Sequence, residues 1–596
     1  MFCVFCMDNI DGSSRKNFFK DIVLLAAAFS ALYLGLAFMR PLASPDEGRY
    51  SEIPLEMVRN GDYVSPRLND MVYFYKPPLF YWLQAASIKA FGVNRVSLRV
   101  PNSLVAVLGI LVTYCAARAL YGRRAGVFSA IVAGTSVLYF ALGEIITLDM
   151  AVSVFISAAM FSFIVALKRS GVWRGVLILS FFVMCALAVM TKGLIGVLIP
   201  CGAISLYALA LGVLPFFKML KVSDIWWCLA GAVLFSAIAV PWHVLAALAN
   251  PPFETAEGIF SKNWEGQGFF WYYIIHEHFL RYLDPATSMR AAPWWLFFVL
   301  APVGLIPWVV LLPQAARDAL KGGYGKLRRE NPEMVFFAMW IFFVVAFFSA
   351  SSSKLPAYIV PIYPAFGVII GVWLAKVWGN PKTYSTKAVK IIYVCLGYVA
   401  ALAPIVAYFV LEHKGKLMER APDMLAVAVL MAAVLAACTT FVLSKIRRER
   451  AFWASMIATV FVLLFFFNPL GTFLQRESAQ SLVEKIADIR RPDDTYVIAY
   501  HYNEFQDFPV WLGQTVYLIG TPPEEQKFGF MREREKNSPR FITDASQLAS
   551  LLAKTSGNMY IAGMARDFDK IRSEMRVELE ELARARNMAL YRVVRK

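Results

Sequence analysis

Adjacent acidic residues stand out near the start of the chain, in the motif Pro45-Asp46-Glu47-Gly48-Arg49-Tyr50. Neighbouring carboxylates such as Asp46 and Glu47 can act as a general base, orient a sugar or hold a cation. The same acids also fit the first turn of a helix, where negative charge favours the N-terminal dipole. From these residues alone both interpretations stay open. Glu52 and Glu56, four positions apart, are expected to form a solvated helix face.

Three lysines are predicted to lie at positions where they could bind an anionic partner. Lys76 precedes two prolines and stands among aromatic residues, a rigid setting that would hold its ammonium at headgroup depth, within reach of a phosphate. Lys192 and Lys354 lie on the predicted outer side, although cytoplasmic loops normally hold the excess of positive charge. Asp149 begins a predicted span from that same side. Snorkelling explains each lysine singly, but four ionisable residues on one membrane face favour a binding site.

A third group, His276-Glu277-His278 with Arg281, follows the aromatic stretch 269–273. Histidine and glutamate side chains can bind zinc, and the aromatic residues suit a helix that lies in the membrane interface. Two histidines separated by one residue point to different faces of a helix, so this pair alone does not form a zinc site. Hydrogen-bonding histidines are the simpler expectation.

The elements that must position these groups are membrane helices. Apolar residues make up 59% of the 596 residues, aromatic residues 15% and charged residues 17%, which excludes an ordinary soluble protein. A span of the hydrocarbon core needs about 20 mostly apolar residues. Such runs predict about thirteen spans, near residues 21–39, 98–118, 125–143, 149–167, 174–190, 193–214, 225–247, 292–313, 333–350, 356–376, 391–411, 423–444 and 453–470.

Basic residues between the spans predict the topology. Pairs such as Arg123 and Arg124, or Lys168 and Arg169, mark loops as cytoplasmic. The N-terminus is therefore expected in the cytoplasm, and the loops at 40–97 and 248–291 and the C-terminus outside. The loop around Lys414 is basic although it must face outward. The net charge of +17 then mostly reflects topology, with some attraction to anionic lipid, and does not indicate nucleic-acid binding.

The chain is expected to divide into a membrane domain at 1–470 and a small extracytoplasmic α/β domain at 471–596. The first span has no small-residue cleavage site and is expected to stay as a signal anchor. Cys3 and Cys6 form an isolated CxxC, and the other six cysteines fall in spans, which excludes a disulfide framework for the outer parts. In the tail we expect strands at 495–500, 515–519, 558–562 and 589–594, a helix at 545–554, and a charged helix ending near 586.

Taken together, these residues resemble the membrane glycosyltransferases of the C-type fold, specifically the aminoarabinose transferase and protein O-mannosyltransferase group. The order and spacing are similar to those of the lipid A aminoarabinose transferases. The resemblance rests on Pro45-Asp46-Glu47-Gly48-Arg49-Tyr50, Tyr75-Lys76-Pro77, Leu148-Asp149, Thr191-Lys192-Gly193, Glu277-His278 with Arg281, and Ser353-Lys354-Leu355-Pro356.

The resemblance implies an enzyme of the bacterial cytoplasmic (inner) membrane that takes a sugar from a polyprenyl (undecaprenyl) phosphate carrier in the outer, periplasmic leaflet. The sugar would be 4-amino-4-deoxy-L-arabinose or a relative of it, and the acceptor lipid A or a related envelope glycolipid. Displacement of the carrier phosphate builds anionic charge that fixed cations can stabilise. The roles implied are Asp46 as the principal catalytic carboxylate with inversion at the sugar, Asp149 as a second acid, and Glu47, Arg49, Lys76, Lys192, Arg281 and Lys354 as substrate-binding residues.

One position departs from the family pattern. The aminoarabinose transferases carry an acid before the Lys-Pro, which helps a histidine hold a divalent metal ion, whereas this chain has Tyr75. His278 is retained as the metal-ligand candidate. A metal ion shared between position 75 and His278 is therefore in doubt.

Other functions remain open at this point. Transfer to protein hydroxyls is the alternative within the enzyme class. A transporter or flippase for lipid-linked sugars would be expected to show charge at the bilayer midplane or helices broken by glycine or proline, whereas the charges here gather at one face. A non-catalytic assembly protein that binds through its tail would tolerate loss of Asp46.

Overall fold

The computed structural model describes residues 12–35, 37, 41–213, 219–253, 256, 264, 266–280, 292–379, 478–585 and 587–594. Helices dominate up to residue 379, and a mixed α/β domain follows from residue 478. The helices of the first part are α1 Gly12–Gly35, α2 Asp46–Asn60, α3 Leu79–Phe91, α4 Arg95–Tyr121, α5 Arg123–Gly134, α6 Val137–Glu144, α7 Leu148–Leu167, α8 Gly171–Lys192, α9 Ile195–Ala210, α10 Asp224–Ala249, α11 Leu296–Gly304, α12 Leu312–Ala319, α13 Tyr324–Glu330, α14 Pro332–Ala350 and α15 Tyr363–Gly379.

Shorter elements join these helices. A hairpin of two strands, β1 Arg67–Leu68 and β2 Met71–Val72, follows α2. The segment after α10 contains a π-helix at Trp271–Leu280. Two 3-10 helices, Trp308–Leu311 and Pro356–Ile362, precede α12 and α15.

Local sequence explains the bounds of the longest helix, α4. The side chain of Asn94 accepts hydrogen bonds from the backbone N–H groups of Val96 and Ser97, and Ser97 returns a bond to Asn94. This reciprocal capping satisfies donors that the first turn leaves unpaired. The helix ends at Gly122, whose φ of 86° lies in the region that favours glycine. Its 27 residues span about 40 Å, more than the hydrocarbon core requires.

Seven helices in the described ranges are long and apolar enough to cross a membrane, and the chain is a multi-pass membrane protein. They coincide with the predicted spans near 21–39, 98–118, 149–167, 174–190, 225–247, 333–350 and 356–376. The predicted span at 193–214 is a shorter apolar helix, α9. The last three predicted spans, within 391–470, lie outside the described residues, so the total of thirteen stays a prediction.

Two predicted spans are bent, which the sequence analysis did not anticipate. α5 and α6 meet at 64°, and α11 meets the segment Trp308–Ala319 at 96°. The hydroxyl of Thr135 donates to the carbonyl of Ile131 and accepts from the indole N–H of Trp308 at 2.9 Å. Because the N–H of Val137 also donates to the carbonyl of Ile306, the two bends satisfy each other's polar groups.

The C-terminal domain is built on one six-stranded sheet in the order β5-β4-β3-β6-β8-β7. β5, β4, β3 and β6 are parallel, and β8 and β7 are antiparallel. Each face of the sheet has its own apolar core. The strands are β3 Thr495–Ala499, β4 Tyr517–Ile519, β5 Phe541–Ile542, β6 Met559–Met564, β7 Leu579–Ala585 and β8 Met588–Val593. The helices are α16 Gln480–Lys485, α17 Phe508–Leu512, α18 Lys527–Arg532, α19 Arg534–Asn537, α20 Ala545–Lys554 and α21 Phe568–Met575.

Most of the tail prediction is confirmed, with one correction. The helix at 545–554 and the four predicted strands are present, some with shifted ends. The charged helix expected to reach residue 586 ends at Met575, because Arg576 adopts a left-handed conformation with φ of 53°. Residues 579–585 form the edge strand β7, where charged side chains face solvent. The expected domain boundary at 470/471 lies outside the described residues.

The C-terminal domain packs directly on α2 and the hairpin. Arg67 forms a bidentate pair with Glu533, with both N–O distances 3.0 Å. The amide of Asn69 exchanges two hydrogen bonds with the backbone of Val516. A Cβ atom on Gly48 would lie 2.5 Å from the backbone nitrogen of Asp507, so glycine is required for this close approach.

The expectation that Glu52 and Glu56 form a solvated face is wrong, because the C-terminal domain covers them. Glu52 accepts hydrogen bonds from the Asn69 N–H at 3.1 Å and the Tyr502 hydroxyl at 3.0 Å. Glu56 accepts the N–H of Asp70 at 2.9 Å. Burial, followed by the neighbouring Glu56 carboxylate, raises the pKa of Glu52 well above its ordinary value.

Asp507 is a third buried carboxyl group at this interface. It accepts hydrogen bonds from the hydroxyls of Ser44 and Ser478 and from the N–H of Ala479. Burial raises its pKa to about 6, although these hydrogen bonds oppose the shift. A carboxyl group with a raised pKa in the folded state stabilises the fold in its protonated form. Its contribution is therefore full below about pH 4 and is lost as the pH rises through 6.

We predict that Asp507→Asn changes the pH dependence of stability. The thermal midpoint of the wild type, relative to that of the variant, should fall between pH 4 and pH 7, because only the wild type loses a proton at this position. Scanning fluorimetry of both purified proteins at unit pH intervals measures the difference. Parallel curves across the interval would contradict the assignment.

Candidate active site

The two adjacent acids of the motif lie at the start of helix α2, in different surroundings. Asp46 and Glu47 occupy its first turn, as the capping interpretation predicts. The Asp46 side chain is 47% exposed and lies 3.9 Å from a terminal nitrogen of Arg49, one turn later. Asp46 is therefore accessible, while its neighbour points into the protein.

Glu47 lies in the interior and not on a substrate-accessible wall. It is fully buried, and its carboxylate receives two hydrogen bonds from the Arg99 guanidinium, at 2.9 and 3.1 Å. It also accepts the backbone N–H groups of Ala43 and Ile146. These contacts tie the start of α2 to α4 and to the chain entering α7. Glu47 therefore positions the start of α2, and its expected role in substrate binding stays a prediction.

A cavity of about 380 Å³ lies between the membrane helices, the segments that connect them and the C-terminal domain. Its wall combines ionisable side chains with aliphatic and aromatic ones. The ionisable residues are Arg49, Lys76, Asp149, Lys192, Glu277, His278 and Glu525, and the apolar ones include Val152, Ile156, Leu194, Ile195, Leu198, Ile199, Phe347 and Phe348.

Two ion pairs on the wall join residues that the sequence analysis singled out. Lys192, the last residue of α8, pairs with Asp149 in the first turn of α7. The ammonium of Lys192 also lies 4.7 Å from the centre of the Tyr358 ring. Lys76 pairs with Glu277 at 3.6 Å. The helix ends therefore bring charges distant in sequence to one cavity.

The third ion pair comes from the C-terminal domain and was missed by the sequence analysis. A terminal nitrogen of Arg49 lies 2.5 Å from a carboxylate oxygen of Glu525. The Arg49 Nε donates to Gln506 at 3.1 Å, and its other terminal nitrogen to the Tyr73 hydroxyl at 3.4 Å. The Arg49 guanidinium is thus held largely by the C-terminal domain. Glu525 follows Pro522-Pro523, a pattern that predicts only a turn, so no local signal identified it.

The two histidines of the third motif face different surroundings, as expected for a helix. His276 is buried and stacks on Tyr272, with 5.1 Å between the ring centres. His278 faces the cavity, with Nδ1 bound to the Tyr273 carbonyl and Nε2 accepting the N–H of Leu194 at 3.3 Å. Burial lowers the pKa of His278 to about 4, so the ring is neutral at pH 7. Arg281 lies outside the described residues.

These residues do not fit the metal ion that the resemblance implies. Both ring nitrogens of His278 are engaged within the protein, and the position before Lys76 is Tyr75, which supplies no carboxylate. Within the ranges that the structure covers, no three His, Cys, Asp or Glu side chains gather in a group able to hold a metal ion. No step of the chemistry is therefore assigned to a metal ion.

Lys354 stands behind the cavity wall. Its side chain is buried and its ammonium donates to the carbonyl of Ser351, while Ser351, Ser353 and Leu355 line the cavity. The structure therefore places Lys76, Lys192, Asp149, Arg49 and His278 together and sets Lys354 one layer back. Its contact supports the turn that forms the wall, and its expected role in substrate binding stays a prediction.

The fold and the cavity define a helical membrane protein with an amphipathic pocket beside a C-terminal α/β domain, and comparison with known proteins agrees. The sequence profile of the family described as "Dolichyl-phosphate-mannose-protein mannosyltransferase" matches residues 75–244. The crystal structure of ArnT from Cupriavidus metallidurans bound to undecaprenyl phosphate superimposes with a TM-score of 0.76 at 23% identity. The match covers 96% of this chain and 97% of that one, which confirms the predicted C-type fold.

Curated relatives are similar in sequence as well. The enzyme named undecaprenyl phosphate-alpha-4-amino-4-deoxy-L-arabinose arabinosyl transferase from Erwinia tasmaniensis is 30% identical over 387 residues, and its namesake from Yersinia pestis is 29% identical over the same length. Each alignment spans 64% of this chain and 64% of the relative. The resemblance to the aminoarabinose transferases drawn from the motifs is confirmed.

We predict that Glu47→Ala destabilises the protein strongly. The change removes the carboxylate that neutralises the buried Arg99, and loss of one member of a buried pair costs about 3–5 kcal/mol of unfolding free energy. Thermal and denaturant unfolding of the detergent-purified protein measure the loss. The matched control is Glu580→Ala, which removes an exposed partner of Arg592 and should change stability little. Equal stability of the two variants would contradict the positioning role of Glu47.

Proposed function

We propose that this chain is a glycosyltransferase that moves a sugar from a polyprenyl-phosphate carrier to lipid A or a related envelope glycolipid. The observation that carries the proposal is the cavity, where paired lysines and carboxylates adjoin an apolar wall beside the outer domain. A phosphate and a prenyl chain on one molecule would match these two kinds of surface. The names of the curated relatives make 4-amino-4-deoxy-L-arabinose the first sugar to test.

Lys76 and Lys192 are the proposed phosphate-binding residues. Both line the cavity, and each already faces one carboxylate, so a phosphate would enter an existing network of charges. The apolar stretch formed by Ile156, Leu198 and Phe348 would hold the first prenyl units. When the bond from sugar to phosphate breaks, the two ammonium groups stabilise the negative charge that collects on the leaving phosphate.

Asp46 is the proposed base. Its exposed carboxylate lies beside Arg49, whose side chain lines the cavity, and so stands at the edge of the donor site. An acceptor hydroxyl would give its proton to Asp46 while its oxygen attacks the anomeric carbon, the new glycosidic bond forms, and polyprenyl phosphate leaves with the bonding electrons. This single displacement inverts the anomeric configuration. If the acceptor is an ionised phosphate, no base is needed and Asp46 would orient the acceptor or the sugar amine.

Asp149 is proposed to act through Lys192. Its pairing with Lys192 joins the first turn of α7 to the last turn of α8 and holds the ammonium at the cavity wall. Asp149 itself also lines the cavity, where its carboxylate would accept a hydrogen bond from a sugar hydroxyl. Asp149 would thus be a second acid of the site, as the resemblance implies.

The proposed location is the bacterial inner membrane, with the N-terminus in the cytoplasm and the C-terminal domain in the periplasm. The distribution of basic residues supports this orientation, since Lys168, Arg169 and Arg174 lie at the opposite ends of α7 and α8 from Asp149 and Lys192. The donor would therefore be reached from the periplasmic leaflet, where no nucleotide sugar is needed.

A second acceptor class, protein hydroxyls, is favoured by one observation, the match of residues 75–244 to a family described as protein mannosyltransferases. A transporter gains some support from the two bent spans. However, the bends bond to each other through Thr135, Trp308 and Ile306, and none of these residues lines the cavity. The charges that would contact a substrate lie elsewhere.

We predict that Asp46→Asn lowers the transfer rate by about 10² to 10⁴, because the substitution keeps the shape of the side chain but removes its basicity and charge. Purified protein in detergent with bacterial lipids is incubated with a panel of polyprenyl-phosphate sugars, and release of free polyprenyl phosphate is followed. Asp569→Asn, at an exposed aspartate of the C-terminal domain, is the control. A loss smaller than tenfold would mean that Asp46 only caps α2.

We predict that Lys76→Ala raises the KM for the donor about tenfold or more and lowers kcat less, because it removes one charge-assisted contact to the carrier phosphate. Initial rates against donor concentration separate the two effects. Lys89→Ala, at an exposed lysine on α3, should leave both constants unchanged. An unchanged KM in Lys76→Ala would remove this lysine from the phosphate site.

A further inference from the structure

The loop 520–528 of the C-terminal domain carries Glu525 into the cavity wall. It begins at Gly520, whose φ of 117° suits glycine, and two prolines precede the short 3-10 helix Glu524–Gln526. Glu524 points outward, with a side chain 50% exposed, whereas Glu525 is 17% exposed and lines the cavity. Of these two adjacent glutamates, one is therefore exposed to solvent and the other faces the cavity.

Contacts immediately after Glu525 fix its position. The amide of Gln526 donates to the carbonyl of Leu68 at 3.3 Å. The ring of Phe528 stacks on Tyr272 with 4.0 Å between the ring centres, and it packs edge-on against Phe74. The loop is therefore attached to the hairpin and to the π-helix of the membrane part. Glu525 is a built component of the cavity and not a surface acid that happens to lie near it.

Charges in the cavity are balanced before any substrate binds. Among the described residues on its wall, three cations face three carboxylates in pairs: Lys192 with Asp149, Lys76 with Glu277, and Arg49 with Glu525. A sugar joined to a carrier by a phosphodiester adds one negative charge. The site returns to neutrality when the same donor also carries one positive charge, and burial makes such a balance energetically important.

Glu525 is placed to receive that positive charge. Its pair with Arg49 uses one carboxylate oxygen, and a carboxylate offers about four lone-pair sites on two oxygens. The hydroxyl of Tyr73, which Arg49 contacts, belongs to the same cavity wall as Glu525 and Glu277. After burial and the opposing effect of Arg49, these two acids raise the pKa of Tyr73. Carboxylates from the C-terminal domain and from the π-helix therefore share the wall with this hydroxyl.

We infer that Glu525 binds the ammonium group of an amino sugar on the donor and so makes the C-terminal domain part of the sugar specificity of the site. This inference rests on the proposed function, since it concerns the donor of that reaction. Arg49 holds the carboxylate in place, and Lys76 and Lys192 remain for the phosphate. The outer domain then contributes directly to the choice of sugar.

The test compares two donors that differ in one charge. One is undecaprenyl phosphate carrying 4-amino-4-deoxy-L-arabinose, and the other is its N-formyl derivative, in which the sugar nitrogen has no charge. Binding to purified full-length protein is measured without acceptor, and transfer is measured separately. In Glu525→Gln, affinity and kcat/KM for the amino donor should fall about tenfold or more, because a charge-assisted hydrogen bond is lost. The N-formyl donor should bind as before or more tightly, because Arg49 is released from its counter-ion.

Two further variants keep the test independent of folding. Glu524→Gln, at the adjacent exposed acid, should leave the preference between donors unchanged, and Glu525→Asp should retain part of it. An equal loss for both donors in Glu525→Gln, or no change for either, would overturn the inference. A wild type that binds the donors but releases the carrier from neither would overturn the proposed function instead, while the ratio of the two affinities still decides the role of Glu525.

Discussion

The buried ion pair between Glu47 and Arg99 is the constraint on which the site depends. It fixes the first turn of α2 against α4, and the neighbouring residues of that turn then point in set directions. Asp46 is directed to solvent and Arg49 towards the C-terminal domain. Because successive residues on a helix differ by about 100° in direction, a small rotation of α2 would move both groups at once. A buried pair thus sets the geometry of the two residues that are proposed to act on the substrate.

The second constraint is the close contact between α2 and the C-terminal domain. Gly48 allows the backbone at residue 507 to reach the helix, and Glu52 and Asp507 then become interior groups. Burial raises the pKa values of both carboxyl groups, and the hydroxyl and backbone donors that bind them oppose this shift only in part. Stability of the interface and its protonation state are therefore linked.

The sequence predicted the membrane class and most of the C-terminal domain correctly, because these depend on local pattern. Lys76, Lys192, Lys354 and Asp149 were predicted to lie on one membrane face. Lys76, Lys192 and Asp149 line one cavity, whereas Lys354 is buried behind its wall. The surroundings of Glu52 and Glu525 could not be predicted in this way. Whether an acid on a helix is solvated or covered depends on a partner some 450 residues away, as the bond from Tyr502 to Glu52 shows. Likewise, the sequence Pro-Pro-Glu-Glu predicts a turn but does not indicate which surface the turn contacts.

The interface between α2 and the C-terminal domain also restricts which substitutions the chain can accumulate during evolution. Gly48, Glu52 and Arg49 belong to the membrane part, yet each is matched to a residue of the tail: Asp507, Tyr502 and Glu525 respectively. If the C-terminal domain were replaced by that of a distant relative, the side chains facing α2 would no longer match those of the helix. The two parts must therefore evolve together. A substitution in the C-terminal domain at this interface requires a matching substitution in a helix more than 400 residues earlier.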